Sequence, residues 1–278
     1  MGGATGPRSV RLHRMTRLTP IAVEKPWGRT SLPAPFDRMR GRRIGEIWFP
    51  GPEGQRLPLL IKYLFTSEKL SVQVHPSDAQ AIALGLPAGK EECWYILDAK
   101  PGARLGIGVR TRLSKARLRE AALSGEIETL MQWHLAEPGM LFHIPPGTIH
   151  AIGADISLIE IQQNIDVTYR LYDYGRPREL HLAEGVDVAD PSPYPPSRQT
   201  SVDPSRSDIL LHAEHFTLAH ITGDDMSFIP RDACLYIAPI EGRIRIGGQT
   251  ISAGECALAA SNAEIDLRDC ARALVAWS

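Results

Sequence analysis

Three polar side chains occupy alternate positions in residues 70–76, which read LSVQVHP. Successive side chains of a β-strand point to opposite faces, so Ser71, Gln73 and His75 share one face and the apolar side chains share the other. Such a face is either solvated, as in many antiparallel sheets, or it binds a ligand through its amide and imidazole groups. Gln73 and His75 are therefore candidate metal ligands.

A second histidine follows a segment with closely spaced proline and glycine. Residues 139–150 have the pattern G-x5-P-x-G-x2-H, in which Pro145 and Gly147 are placed to form a tight turn. His150 begins the strand that returns from this turn, so the pattern predicts an imidazole presented from a rigid turn into the mouth of a barrel. This spacing is more specific than an isolated histidine, and it is the strongest motif in the chain.

A lysine and a carboxylate precede the apolar run in residues 89–97, GKEECWYIL. If the strand extends back to Lys90, then Lys90, Glu92 and Trp94 share a face; the alternative is a charged hairpin end that leads into a buried strand. Two imidazoles, a carboxylate and an amide oxygen suit Zn²⁺, and also Fe²⁺, Mn²⁺ or Ni²⁺, with a position open for water or substrate. The set contains no thiolate, which favours a catalytic over a structural site. The candidate donors are Gln73, His75, Glu92 and His150.

Residues 158–176 carry a further group of charged side chains, including Glu160, Asp166 and Arg170. One interpretation is a solvated strand end with surface ion pairs. However, Arg170 lies in a β-type run between two large side chains, where a guanidinium is rarely buried without a partner. An arginine near a metal is suited to bind a phosphate or a developing enediolate.

The remaining histidines and the cysteines show no such pattern. We predict that these six histidines are ordinary surface or core residues: His134, His143, His181, His212, His215 and His220. The four cysteines form no CxxC pair, which argues against a disulfide scaffold or a cysteine–zinc site and predicts free thiols in a reducing compartment.

The elements that must position these residues are mostly short β-strands. Helices are predicted from the N-cap Ser114 to near Gly125, and over residues 127–135 before Pro138. The clearest strand-like runs are residues 44–49, 59–65, 70–75, 93–97, 105–109, 140–144 and 156–162.

Composition changes along the chain divide it into four parts. Residues 1–17 are rich in arginine, contain no acid and are predicted to be a disordered extension. Residues 18–186 form a β domain with a helical insertion at about 112–137. Residues 187–207, rich in proline and serine, read as a linker that is either flexible or ordered over the surface. Residues 208–278 form a smaller β domain that carries no dense polar constellation.

The overall composition excludes several classes of protein. The 278 residues are 43% hydrophobic, enough for a sizeable core, and the formal net charge is −1. That balance gives no reason to expect a partner such as nucleic acid or a membrane surface. The apolar runs are too short to span a bilayer. We therefore predict a cytoplasmic protein.

The motifs resemble those of type I phosphomannose isomerases (mannose-6-phosphate isomerases), in their short bacterial form, within the cupin superfamily. They occur in the family order and cover most of residues 24–186. The segments that carry the resemblance are residues 25–28 (KPWG), 44–48 (IGEIW), 70–76 (LSVQVHP), 89–95 (GKEECWY), 144–151 (IPPGTIHA) and 166–174 (DVTYRLYDY).

The resemblance implies a mainly β fold: a cupin (jelly-roll) barrel with a small helical insertion, followed by a smaller, degenerate cupin-like domain without metal. The general cupin motif HxH with a nearby Glu is replaced here by QxH with a remote Glu, as in the isomerases. The helical domain of longer family members is reduced to residues 114–135.

The resemblance also implies roles for individual residues. One Zn²⁺ per chain is expected on Gln73, His75, Glu92 and His150, with Glu91 as a less favoured alternative to Glu92. No glycine-rich phosphate loop is present, so side chains such as Ser71, Arg170 and Arg176 are expected to hold a phosphate. The catalytic residues expected are Arg170, Lys90 and Asp166. The substrate-binding residues expected are Ser71, Glu160 and Arg170.

The function implied is a metal-dependent aldose–ketose isomerase that interconverts mannose 6-phosphate and fructose 6-phosphate through an enediol. The partner expected is a small sugar phosphate, on a monomer or homodimer. One alternative is a cupin that binds a sugar or sugar phosphate without catalysis, although Lys90 and Arg170 beside the metal ligands argue against it. Another is an Fe²⁺-dependent oxygenase, for which Gln73 is a poor ligand.

Overall fold

A computed structural model describes residues 16–39, 41–53, 55–223 and 225–278 of the chain. The described residues are predominantly β-strand, as the sequence predicts. Most of the predicted N-terminal extension lies outside the described residues. The last two residues of that extension, Thr16 and Arg17, were wrongly included in it, because they form a strand that pairs with Ala257 and Leu258.

The strands are numbered in chain order. In the first part of the chain they are β1 (Thr16–Arg17), β2 (Ile21–Arg29), β3 (Ile44–Phe49), β4 (Leu59–Phe65), β5 (Val72–Val74), β6 (Glu92–Ala99), β7 (Arg104–Val109), β8 (Met131–Leu135), β9 (Met140–Ile144), β10 (His150–Ile152), β11 (Ile156–Gln163), β12 (Tyr169–Tyr172) and β13 (Gln199–Ser201). In the last part they are β14 (Asp208–His212), β15 (Thr217–Ile221), β16 (Leu235–Ile246), β17 (Gln249–Ser252), β18 (Ala257–Ala259), β19 (Ile265–Asp266) and β20 (Cys270–Trp277).

Two antiparallel sheets of the first part enclose a barrel interior. A seven-stranded sheet has the order β13-β9-β6-β11-β4-β3-β2, and a five-stranded sheet has the order β12-β5-β10-β7-β8. Trp94, Ile96 and Phe142 from the first sheet pack against Leu105 and Ile107 from the second. Because these side chains fill only part of the interior, the polar residues at one end are left facing a cavity.

A third sheet, built from β1 and the strands after residue 207, covers the outer face of the seven-stranded sheet. Strand β6 shows the consequence of this two-sided burial. Trp94 and Ile96 point into the barrel, whereas Cys93 and Tyr95 point outward into a core shared with Tyr236 and its neighbours in the third sheet. Both faces of β6 and β11 are therefore largely apolar, and the buried charges on these strands are Glu92 and Glu160, at the cavity.

Helices α2 (Lys115–Ser124), α3 (Ile127–Leu130) and α4 (Leu182–Val188) pack on the outer face of the five-stranded sheet. Ser114 caps α2 through its side chain, and Gly125 ends it in the left-handed conformation, as predicted. The predicted helix over residues 127–135 is wrong in its second half, because Met131–Leu135 pairs with β7 as a strand. The helices are α1 (Asp78–Ala83), α2 (Lys115–Ser124), α3 (Ile127–Leu130) and α4 (Leu182–Val188), with short 3-10 turns at Phe36–Arg38, Pro196–Arg198 and Asn262–Glu264.

Residues 187–207 belong to the barrel rather than forming a free linker. Helix α4 extends to Val188, and β13 adds an edge strand to the seven-stranded sheet by pairing with β9. Pro193 and Asp190 also make isolated bridges to barrel residues. The proline-rich composition thus reflects an ordered crossing of the barrel surface. Within the part of the chain that the structure describes, no helix is long and apolar enough to cross a membrane.

Candidate active site

A polar cavity of about 210 Å³ opens between the two sheets of the barrel. Its lining comes from strands that are far apart in the sequence, because antiparallel pairing brings β5, β10 and β12 side by side opposite β3, β4 and β11. Six of the residues predicted from the sequence line it: Ser71, Gln73, Lys90, Glu160, Asp166 and Arg170.

Three further predicted residues, His75, Glu92 and His150, form a fully buried cluster at this cavity. One donor atom from each lies within 4.8 Å of the others. His75 Nε2 is 3.6 Å from Glu92 Oε2, and His150 Nε2 is 3.5 Å from Glu92 Oε1. Glu91, the less favoured alternative to Glu92, points away from the cluster and contacts His143 and His215 instead.

The two imidazoles are held in the form that a metal requires. His150 Nδ1 is 2.8 Å from the carbonyl oxygen of Thr148, so Nδ1 carries the proton and Nε2 offers its lone pair. Burial lowers the pKa of His150 to about 4. Burial, together with the charge of Lys90, also lowers the pKa of His75 well below its usual value. Both rings are therefore neutral near pH 7 and able to act as ligands.

Local turn geometry places these histidines next to each other. Gly147 has φ +82°, which a side chain would disfavour, and its N–H donates to the carbonyl oxygen of His75 over 2.8 Å. This bond ties the turn before β10 to the end of β5. Strand pairing then sets His150 opposite Gln73, and the Gln73 amide nitrogen lies 3.2 Å from His150 Nε2.

A network of two lysines and two carboxylates borders the cluster. Lys90 Nζ lies 2.7 Å from Glu92 Oε2 and 3.8 Å from Glu160 Oε1. Lys62 Nζ lies 3.1 Å from the same Glu160 oxygen, and the Trp94 indole N–H donates to the other one over 3.2 Å.

Charge balance within this network determines how its members titrate. Burial opposes the charge on Lys90, but Glu160 and Glu92 override it and raise the lysine's pKa. Burial also opposes the charge on Glu160, yet Lys90 and Lys62 lower its pKa to about 2. Lys90 is thus an ammonium and Glu160 a carboxylate over the physiological pH range. Glu92 differs from Glu160, because burial and the charge of Glu160 raise the pKa of Glu92.

Sequence reasoning missed Lys62 and Glu46, which are both buried at the cavity. Glu46 receives a hydrogen bond from Trp48 and lies 3.1 Å from Lys25 Nζ. The available signal was a single charged residue inside an otherwise apolar strand, as in LLIKYLF and IGEIWF. A charge at such a position is rarely buried unless it is paired.

Arginine side chains close one end of the cavity. Strand pairing places Arg170 opposite Gln73, and the Arg170 Nε is buried without a hydrogen-bond partner among the described residues. Arg176, expected from the sequence to help hold a phosphate, instead binds Asp173 and the carbonyl oxygen of Lys69. Arg178 lines the cavity in its place.

Two of the histidines predicted to be ordinary residues take part in a second ionic cluster behind β6. His143 Nε2 and His215 Nδ1 each lie 2.8 Å from a different oxygen of Glu91. Burial opposes the charge on Glu91, but hydrogen bonds from the two histidines lower its pKa to about 2. No sequence signal marks His215, which is 124 residues from Glu91.

The buried cluster has the chemistry of a metal site. Two neutral imidazole nitrogens converge on one carboxylate, and Glu92 Oε1 is buried with no hydrogen-bond partner in the described part of the chain. The Lys90 ammonium pairs with the other carboxylate oxygen, Oε2, and leaving Oε1 buried without a partner is costly unless a cation lies near it as well. The His75, Glu92 and His150 side chains could therefore hold a metal ion.

A larger groove of about 780 Å³ lies elsewhere on the surface, between Lys69, Arg104 and Trp133. None of the predicted site residues lines this groove. The chemistry-bearing residues are thus gathered in the smaller cavity, whose lining is mostly polar and charged.

Comparison with known proteins supports the family that the sequence motifs indicate. No protein-family model matches the chain. The mannose-6-phosphate isomerase ManA of Bacillus subtilis (strain 168) is 36% identical over 226 residues, which is 74% of this chain and 71% of that protein. A mannose-6-phosphate isomerase of Streptococcus mutans is 39% identical over 146 residues, 50% of this chain and 46% of that protein.

Solved structures resemble the whole fold. The crystal structure of the mannose 6-phosphate isomerase from Bacillus subtilis matches with a TM-score of 0.77 and 28% identity, covering 95% of this chain and 99% of that chain. A putative mannosephosphate isomerase from Archaeoglobus fulgidus matches with a TM-score of 0.75. Because the identity is 17%, this match supports the fold and not the function. The mainly β, cupin-type fold predicted from the sequence is confirmed. In sequence and in fold, this chain belongs to the mannose-6-phosphate isomerase family.

Proposed function

We propose that the chain interconverts mannose 6-phosphate and fructose 6-phosphate, by moving a proton between C1 and C2 of the open-chain sugar through an enediol. The observation that carries this proposal is one cavity that combines three residues able to hold a metal ion, a buried lysine ammonium and an arginine. The Nε of that arginine has no hydrogen-bond partner among the described residues. The names of the relatives supply the substrate. The reaction itself needs proton transfer and charge stabilisation, and this cavity offers residues for both.

We further propose that the metal is Zn²⁺, one per chain, held by His75, Glu92 and His150 with Gln73 as a fourth ligand. The Gln73 amide has its nitrogen toward His150, and a rotation of the amide by about 180° would present its oxygen instead. When bound, the ion supplies a Lewis acid that polarises substrate oxygens. The chain's own part is to keep both imidazoles neutral, and a bound cation would favour the ionised form of Glu92 against the burial that raises its pKa.

Lys90 is proposed to stabilise the negative charge that develops on the substrate oxygens and to donate a proton to them. Its ammonium is buried and held by Glu92 and Glu160, so it requires no reorganisation when charge develops. Glu160, fixed by Lys62 and Trp94, sets the position of that ammonium. Asp166 is exposed at the cavity entrance and is proposed as the carboxylate that moves the carbon-bound proton.

The phosphate is proposed to bind at the end of the cavity that holds Arg170 and Ser71. The Arg170 Nε has no partner among the described residues, so its N–H can donate a hydrogen bond to a phosphate oxygen without breaking an existing bond. Arg178 lines the same end while its guanidinium is fixed by two hydrogen bonds to Asp173. We place the reaction in the cytoplasm, which fits the free thiols of Cys93, Cys234 and Cys256.

The test is a coupled assay for fructose 6-phosphate with protein stripped by a chelator and then reloaded. We expect turnover of mannose 6-phosphate to fall at least about a hundredfold on stripping and to return with Zn²⁺, because the metal carries much of the charge stabilisation. Fe²⁺, Mn²⁺ and Ni²⁺ are tested in parallel to establish the metal preference. Tight binding of mannose 6-phosphate without turnover in the reloaded protein would contradict the proposal.

A further inference from the structure

The ionic cluster behind β6 lies directly beneath the segment that carries Lys90 and Glu92. Residues 84–91 precede β6 without regular secondary structure, so Lys90 lies outside the hydrogen-bond ladder of the sheet. Its backbone N–H donates to the carbonyl oxygen of Pro76 over 3.0 Å. The position of Lys90 therefore depends on local contacts rather than on strand pairing.

Asp78, at the start of α1, holds one side of this segment. Its Oδ1 accepts hydrogen bonds from the Gly89 backbone N–H over 2.7 Å and from the Gln163 amide over 3.1 Å. Gln163 in turn accepts the backbone N–H of Glu91 over 2.8 Å and donates its own backbone N–H to the Glu91 carbonyl. Residues 89 and 91 are thus fixed on both sides of Lys90.

His215 connects these two anchors from the other half of the molecule. It lies in the β14–β15 hairpin, and its Nδ1 and backbone N–H both contact Glu91 Oε2, at 2.8 and 3.1 Å. Its Nε2 lies 3.1 Å from Asp78 Oδ2. Both ring nitrogens therefore face carboxylate oxygens, an arrangement that only the imidazolium satisfies fully.

The surroundings of His215 distinguish it from the rest of the interface between the barrel and the third sheet. The neighbouring Phe216 packs into the shared apolar core, as do Leu218 and Tyr236. Beside this largely apolar core, the ionic contact lies against residues 84–91, the part of the active-site segment that precedes β6 and lacks strand pairing. The contacts of His215 with Glu91 and Asp78 thus restrain the backbone that carries Lys90.

We propose that His215 is a positioning residue for the isomerase centre: it clamps Glu91 and Asp78 and thereby fixes residues 89–91, which place Lys90 in the cavity and lead directly into Glu92, the first residue of β6. This inference rests on the proposed function, because it concerns residues assigned to that reaction. It also gives the C-terminal β domain, which carries no metal cluster among its described residues, a part in the active site.

The test compares H215A, H215N and the control H212A. His212 lies on the same hairpin, but it is exposed, and among the described residues its ring has one hydrogen-bond contact, with the Thr217 hydroxyl. We expect H215A to lower kcat about tenfold with KM changed less than about twofold, and to weaken Zn²⁺ binding about tenfold in a chelator competition, as loss of an outer partner of a metal site does. H215N keeps a donor toward Glu91 and should restore kcat and Zn²⁺ affinity to within about threefold of the unsubstituted protein.

A folded H215A with a lower Tm but unchanged kcat and Zn²⁺ affinity would reduce His215 to a stabilising residue and overturn the proposal. A folded H215N no better than H215A would also overturn it. If H215A does not fold, D78N is measured in its place. It removes the charge opposite His215 Nε2, and its side chain is 43% exposed, so the substitution disturbs the core less. If the unsubstituted protein has no isomerase activity, the proposed function fails, and Zn²⁺ affinity alone then decides the positioning role: weaker in H215A supports it, unchanged overturns it.

Discussion

Lys62 and Lys90 share one oxygen of Glu160, so three buried charges depend on each other in the cavity where we propose that the substrate binds. A buried ion pair that loses one partner leaves an uncompensated charge, which costs several kcal/mol. Each member of this group is therefore poorly tolerant of substitution. Arg170 differs from them, because its Nε has no partner among the described residues and is available to donate a hydrogen bond to a ligand.

At this scale we predict that R170A lowers kcat/KM for mannose 6-phosphate about a hundredfold, since a lost charged hydrogen bond costs about 1.5–3 kcal/mol. The protein should keep its Tm within a few degrees, because within the described part of the chain the Arg170 side chain donates a single hydrogen bond, to the Glu179 carbonyl oxygen. Steady-state kinetics of R170A beside R104A, in the surface groove, provide the comparison. A folded R170A that binds zinc and keeps full kcat/KM would remove Arg170 from the site.

Among the elements, the close approach of residue 89 to the start of α1 is a tight geometric constraint. A Cβ on Gly89 would lie 2.4 Å from the Ser77 carbonyl carbon and 2.5 Å from the Asp78 nitrogen, so only glycine fits there. Ser77 begins α1 through a capping box with Gln80, which makes this helix start rigid. The segment with Lys90 and Glu92 is thus held against a fixed helix end.

We predict that G89A lowers kcat at least about tenfold, because the segment must move away from α1 and carries Lys90 with it. G85A is the matched control: a Cβ at Gly85 meets nothing within 4 Å, but φ is +75°. We expect G85A to lose about 1–2 kcal/mol of unfolding free energy from left-handed strain while keeping its kcat. Equal kcat values for G89A and G85A would show that the close approach has no influence on the reaction.

The elements also show how far the sequence alone can lead. Turn chemistry and strand alternation located Gln73, His75 and His150, because those signals are local and the residues lie at strand ends. The prediction of helix over Met131–Leu135 is wrong, because these five residues directly follow the helical turn Ile127–Leu130 and pairing with β7, a long-range contact, determines their state. Lys62 and His215 were missed because which strands and hairpins face each other is a long-range property that no local pattern encodes.

For the whole molecule, the ionic cluster joins the barrel to the third sheet in a pH-dependent manner. Burial alone would lower the pKa of His215, but hydrogen bonds with Glu91 and Asp78 raise it above its usual value of 6.5. Burial would raise the pKa of Asp78, but hydrogen bonds from Gly89, Gln163 and His215 lower it below 3.8. The contact therefore contributes stability above the unfolded pKa of the carboxyl and below that of the imidazole.

We predict that the loss of unfolding free energy in H215A is greatest between about pH 4 and pH 6.5, and shrinks as the pH rises through the raised pKa of His215 or falls through the lowered pKa of Asp78. Partial exposure of Asp78 screens the pair, so we expect a difference of about 1 kcal/mol at pH 5. Urea unfolding of the unsubstituted protein and H215A at pH 5 and pH 9 provides the measurement. A difference that is the same at both pH values would contradict this assignment of charge.

The burial of the seven-stranded sheet on both faces also determines how the chain can be divided. Every described residue that lines the cavity or belongs to the buried His–Glu–His cluster lies before residue 187, yet Tyr63, Phe65, Tyr95 and Ile159 on the outer face of that sheet are covered by residues after 207. A fragment ending at 207 would carry all of the cavity residues and an uncovered apolar sheet face. The barrel is therefore not an independent unit, and its active site cannot be moved into another protein without the second half of the chain, which covers this sheet face.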